Sequence, residues 1–190
     1  RNELMNSRMS GSEEALATIA LARLNGAAAL DVLIGGYGMG FTLRAALEAL
    51  SAQASVTVAE IVPEIIAWAR GPMAELSAGC LDDPRVSIAE RDVAAVIGEA
   101  RGAWDAILLD VDNGPDALSR PANDRLYSSE GLARAKAALK PGGVLAIWSS
   151  APDAAFARRL KGSGFAVEEV AVRARSNGKG ARHTIWLARV

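Results

Sequence analysis

The chain has one cysteine, Cys80, and one histidine, His183, among 190 residues. An intrachain disulfide and a zinc site of several thiolates are excluded, as is a metal site rich in histidine; no metal is expected. A Ser-His-Asp triad would have to use His183, and no G-x-S-x-G turn is present to offer its serine. No run approaches the roughly 20 apolar residues that span a bilayer. The start, Arg1-Asn2-Glu3-Leu4, is no signal peptide and has no initiator Met, as expected of a fragment or a processed chain. Charge of one sign is also missing. Lys and Arg number 21 against 22 Asp and Glu, a net charge of −1, so no global field steers the chain onto nucleic acid. Together these point to a protein of the reducing cytoplasm with neither a membrane nor a nucleic-acid partner.

What is present is a globular composition, 51% hydrophobic and 23% charged, in a length that suits one domain. Ser10 to Glu13 reads as a capping box opening a helix over about 12–24, stopped at Asn25-Gly26. Strands then alternate with helices: strands at 30–34, 55–61, 85–89, 104–111 and 144–149, and helices from the glycine turn to Leu50 and over 63–77, 93–100, 128–139 and 152–162. This rhythm predicts a parallel sheet with helices on both faces. The last two strands, 165–173 and 183–190, are joined by a loop too short for a parallel crossover, so the seventh should run antiparallel. The organisation expected is a leading segment over 1–27 and a cofactor-binding α/β domain over 28–190.

Gly35, Gly36, Tyr37, Gly38, Met39 and Gly40 follow the first strand. Glycines let a backbone turn sharply and approach a ligand, and the next helix offers its N-terminal amides; a plain tight turn is the alternative. A dinucleotide fingerprint from Gly36 needs glycine at position 41, which is Phe41. The spacing favours a nucleoside with a short sulfonium tail over a pyrophosphate, and disfavours a nicotinamide-dependent oxidoreductase. Glu60 ends the second strand, where a carboxylate can accept from ribose hydroxyls, and Ile61 beside it can flank an adenine. After the third strand, Asp92 before Val93 either accepts from an adenine amino group or caps the following helix. Asp110 ends the apolar fourth strand at the edge where ligands sit in such sheets. It can orient or deprotonate a nucleophile beside the cofactor, or belong to the turn that follows.

The succession VLIGGYGMGFTLR, VTVAEIVPEIIAWAR, DPRVSIAERDV, WDAILLDVDNGP and LKPGGVLAIWSS resembles the class I S-adenosylmethionine-dependent methyltransferase fold, and within it the spermidine synthase-like family. The leader LMNSRMSGSEEALATIALARL is similar to the segment that precedes the Rossmann-like domain there. The resemblance implies seven strands in the order 3-2-1-4-5-7-6 with strand seven antiparallel. It implies that Gly36, Gly38 and Gly40 line the cofactor tail, that Glu60 holds the ribose and Asp92 the adenine, and that Asp110 serves the reacting centre. It also implies a homodimer.

Several positions depart from that family. Met39 stands where the loop's Asp contacts the free amine of decarboxylated S-adenosylmethionine. The second carboxylate of the fourth-strand motif aligns with Asn113, for which Asp112 could substitute. Glu13-Glu14 stands where Tyr-His-Glu is expected. The expectation is therefore a transferase with an S-adenosylmethionine-type cofactor, moving a methyl group to a small-molecule acceptor. The alternative is aminopropyl transfer from decarboxylated S-adenosylmethionine to a polyamine. A non-catalytic nucleoside-binding module is a third possibility, of another class.

Trp148, at the end of the fifth strand, can wall the acceptor pocket beside Asp112 and Asn113; Trp68, Trp104 and Trp186 read as core or semi-buried anchors. Tyr37 either stacks on the substrate or shields the helix start. Arg173, Arg175, Lys179, Arg182 and His183 lie on or beside the last loop, at the cofactor edge. They suit an anionic ligand or form a solvated hairpin. His183 reads as a strand-end residue rather than a base, and Cys80 as inert.

Overall fold

A computed structural model describes residues 10–24, 26, 29–111 and 125–190. In chain order the elements are α1 (Gly11–Leu21), β1 (Asp31–Gly35), α2 (Phe41–Ala49), β2 (Ser55–Ala59), α3 (Pro63–Arg70), the single turn α4 (Ala74–Ser77), β3 (Val86–Ala89), α5 (Val93–Glu99), β4 (Trp104–Leu109), α6 (Ser129–Ala138), β5 (Leu139–Ser149), α7 (Ala154–Gly162), β6 (Ala166–Arg173) and β7 (Arg182–Arg189).

The sheet has seven strands in the order β3-β2-β1-β4-β5-β7-β6. The first five pair in parallel; Leu33 lies opposite Thr57 on one side and Ile107 on the other. β7 is antiparallel to both neighbours, with Ile147 opposite Trp186 and Val172 opposite His183. The expected order and the reversed last strand are both observed.

β1 and β4 are almost wholly buried because helices cover both faces. Val32, Ile34, Leu108 and Ala146 face one core, which α1 completes through Leu16, Ala17 and Ala20. Leu33, Ile107, Leu109 and Ile147 face the other, closed by Ile97, Leu132 and Phe156. Trp186 is fully buried there, whereas Trp68 is 49% exposed on α3.

Two local expectations change. β5 begins at Leu139, not 144, because Trp104 pairs with Leu139 and Ala106 with Val144 across a register shift. The segment Lys140 to Gly143 thus ends α6 without leaving the sheet. The capping box is not formed. Ser10 has helical dihedrals and its side chain caps nothing, while Glu13 belongs to a different constellation. Among the described residues no helix is long and apolar enough to cross a membrane.

Candidate active site

The carboxyl ends of β1, β2 and β4 open onto one edge of the sheet, where the glycine turn leaves it. Gly36 has φ +86°, and a β-carbon there would lie 2.4 Å from the carbonyl oxygen of Asp110. Gly40 caps α2 in the left-handed region at φ +81°, and its β-carbon would lie 2.7 Å from the Tyr37 hydroxyl. Both positions therefore require glycine. Gly35 is tight for another reason: a β-carbon would press on Val93 and Leu109. Gly38 and Met39 form the partly open rim of the turn.

The Tyr37 ring departs from the stacking expectation. It is 3% exposed, and its hydroxyl donates to Ser77 Oγ (3.0 Å) beside Cys80 Sγ (3.6 Å). The ring turns inward because α4 and the turn after it offer a polar partner within an apolar wall. What Tyr37 presents to the turn is its backbone, whose N–H donates to Glu60 Oε2 at 2.9 Å.

Glu60 is 5% exposed and accepts a second backbone N–H, that of Val62, at Oε1 (2.9 Å). Each oxygen keeps a lone pair for a further donor such as a ribose hydroxyl. Ile61 is 54% exposed, an apolar ledge at the strand end. Asp92 accepts from Ala94 N at 2.8 Å and caps α5 through Oδ1, so the capping role is present. Val93 is buried against Gly35, and its side chain supports the turn from beneath.

Asp110 follows β4 and is half-buried. Thr42 Oγ1 donates to its Oδ2 at 2.7 Å, with a longer contact to the backbone carbonyl of Glu13 at 3.2 Å. Burial pushes the Asp110 carboxyl up to about 6, against the pull of the Thr42 hydrogen bond. Glu13, from the first turn of α1, shares this corner. Burial, then Asp110, then Glu14 push its carboxyl up to about 9. Among the described residues neither carboxylate takes part in an ion pair. Two carboxyl groups are thus held partly out of water with no ion-pair partner among the described residues.

Sequence reading missed Glu13 in this role. Its signals were its acidic type in a segment assigned to capping and the place of Glu13-Glu14 where the family's Tyr-His-Glu is expected; its approach to Asp110 spans 97 residues and needs the tertiary fold.

Trp148 is half-buried on the α1 side of the sheet and meets the His183 ring edge to face, with centroids 4.8 Å apart. Its Nε1 is enclosed without a hydrogen-bond partner among the described residues. His183 lies at the start of β7, as the strand-end reading expects, but it is buried, and its Nδ1 shares a 2.8 Å hydrogen bond with Ser12 Oγ. Arg173, Arg175, Lys179 and Arg182 are exposed, and Arg173 turns back to the Gly180 carbonyl. Asp112 and Asn113 lie outside the described residues.

The spermine/spermidine synthase domain model matches residues 9–154. The chain is 34% identical to the polyamine aminopropyltransferase of Mycobacterium tuberculosis over 127 residues, 65% of this chain and 23% of that one. It is 32% identical to polyamine aminopropyltransferase 1 of Streptomyces coelicolor over 147 residues, 73% of this chain and 27% of that one. The crystal structure of spermidine synthase from Thermotoga maritima superimposes with a TM-score of 0.79 at 22% identity, covering 97% of this chain and 62% of that chain. The chain therefore spans about a quarter of the length of the two curated relatives.

Proposed function

Because this chain belongs to the spermine/spermidine synthase domain family, we propose that it is the donor-binding and reaction-bearing part of an aminopropyltransferase. Its donor is decarboxylated S-adenosylmethionine and its acceptor a small aliphatic amine. The relatives support this alternative over methyl transfer. The observation that carries it is the Glu13 and Asp110 pair, two half-buried carboxyl groups with no ion-pair partner among the described residues. Such a corner repels a donor that carries a carboxylate and is completed by an ammonium. The Met39 departure is thereby offset, since an acidic group near the reacting end comes from α1 instead of the glycine turn.

The chain's polar groups fit the nucleoside. Gly36 keeps the turn free of a side chain, Glu60 retains acceptor capacity at its buried carboxylate, Ile61 offers an apolar ledge and Asp92 a second carboxylate. When bound, the donor supplies a sulfonium-activated propyl carbon, whose C–S bond breaks as the acceptor nitrogen bonds to it and the sulfur leaves as a neutral thioether. Asp110 takes the proton released by the acceptor nitrogen. A carboxyl raised to about 6 is ionised above neutrality yet basic enough for that transfer. Thr42 fixes the orientation of its Oδ2.

Calorimetric titration with decarboxylated S-adenosylmethionine, S-adenosylmethionine, S-adenosylhomocysteine and NAD tests the reading. The decarboxylated donor should bind tightest and NAD not at all. Asp110→Asn should lower turnover by roughly 10²-fold or more while sparing donor affinity. A preference for the carboxylated nucleosides would return methyl transfer to first place. Binding without turnover against a diamine panel would leave a non-catalytic module.

A further inference from the structure

The start of α1 has no side-chain cap, since Ser10 makes none. Three consecutive residues fix it by tertiary contacts instead. The Gly11 N–H donates to the Ala174 carbonyl at 3.0 Å. A β-carbon on Gly11 would stand 2.3 Å from Ser176 N and 2.4 Å from the Arg175 carbonyl carbon, so the helix start lies directly against the β6–β7 loop. Ser12 is fully buried and bonds His183 Nδ1 across 171 residues of sequence. The backbone carbonyl of Glu13, the next residue, accepts from Thr42 Oγ1 at 3.2 Å, the same hydroxyl that donates to Asp110, and the Asp110 charge helps to raise the Glu13 carboxyl pKa.

His183 is itself held rigidly. It pairs with Val172 across the β6–β7 ladder, lies 7% exposed, and rests its ring against Trp148. Burial lowers its pKa, which keeps the ring neutral near pH 7 and able to share the Ser12 hydrogen bond without a buried charge. A neutral ring enclosed between a fully buried hydroxyl and an indole is badly placed to act as a base. It is well placed to set the height and rotation of the first turn of α1.

We propose that His183, acting through Ser12, is a positioning residue that holds the Glu13 carboxyl against Asp110 for recognition of the cationic acceptor. This rests on the aminopropyltransferase reading for its functional consequence, but the placement of Glu13 does not. Because a displacement of about 1 Å can cost roughly 10²-fold in rate, a hydrogen bond remote from the reacting atoms can decide turnover.

Four proteins test it: the wild type, Ser12→Ala, His183→Phe and His183→Asn. Phe keeps an aromatic edge against Trp148 but removes the hydrogen bond. Asn offers a polar atom near the Nδ1 position. Each is assayed with decarboxylated S-adenosylmethionine and diaminobutane, and the Glu13 carboxyl is titrated by carbon NMR in isotope-labelled protein. Ser12→Ala and His183→Phe should lose about tenfold or more in kcat/KM for the diamine, with donor affinity held within about twofold. Their Glu13 midpoint should fall by about one pH unit or more as water reaches the loosened helix start. His183→Asn should recover most of both.

An unchanged Glu13 midpoint in Ser12→Ala and His183→Phe would overturn the proposal, as would equal losses in His183→Phe and His183→Asn. If the wild type transfers nothing, the aminopropyltransferase reading fails and the NMR titration alone decides the positioning role. If His183→Phe does not fold, Ser12→Ala, which removes one oxygen atom, carries the test.

Discussion

Gly36 and Asp110 lie so close that a β-carbon on the glycine would stand 2.4 Å from the aspartate's carbonyl oxygen. The Asp110 N–H in turn donates to the Gly35 carbonyl at 2.9 Å. The glycine turn proposed to receive the nucleoside and the aspartate proposed to serve the reaction are thus joined directly across the β1–β4 pair. Small backbone changes at Gly36 should reach both functions at once.

Gly36→Ala combines a left-handed backbone with a collision against backbone that cannot swing away. It should cost about 2–4 kcal/mol, and donor binding should be lost. Gly38→Ala shares the positive φ, at +55°, but meets nothing within 4 Å, so about 1–2 kcal/mol is expected. Thermal melts of the two variants, at roughly 2–4 °C per kcal/mol for a domain of this size, separate them. Equal melting temperatures would refute the close approach.

Glu13→Gln should stabilise the unliganded protein at alkaline pH. Burial and the neighbouring carboxylates raise the folded-state pKa from the ordinary 4.5 to about 9. The folded state therefore holds more protons than the unfolded state between those values, and stability falls as pH rises through that window. Replacing the carboxyl with a neutral amide removes this loss. A gain on the order of 1–3 kcal/mol near pH 9 is expected, shrinking to nothing near pH 4. The pH series of melting temperatures reads it directly; a destabilised variant at pH 9 would show that the carboxylate has a cationic partner.

Tyr37→Phe should leave nucleoside affinity within about twofold, because the ring lies in the core and its hydroxyl contacts Ser77 and Cys80. The loss of that hydrogen bond should cost about 1 kcal/mol in stability. A tenfold loss of donor affinity in calorimetry would instead place the ring at the ligand.

Cys80 should resist thiol reagents in the folded protein. Burial raises its thiol pKa, which keeps the reactive thiolate scarce. Labelling at pH 8 should follow the unfolding transition in a denaturant series, and rapid labelling without denaturant would contradict the packing around α4.

The parts of this protein that the amino-acid sequence determined by itself are those where chemistry and conformation sit in the same short segment. The apolar run of β1, the glycines after it, and the acids Glu60 and Asp110 at strand ends all carry their meaning within a strand and its turn. Strand alternation and the short last loop were enough to predict a parallel sheet with a reversed seventh strand, since a short hairpin cannot make a parallel crossover; the strand order came from the family resemblance of the motifs.

Direction and long-range meeting were decided only by the tertiary structure. Ser10 and Glu13 carry the spacing of a capping box, yet the first turn of α1 is held by Ala174 and His183 and sends Glu13 to Asp110. Tyr37 sits within the glycine turn, yet its ring follows the polar partner that α4 provides. A local pattern specifies which hydrogen bonds a segment can make. Which of them it does make depends on the burial and partners that distant segments bring, and those exist only once the chain has packed.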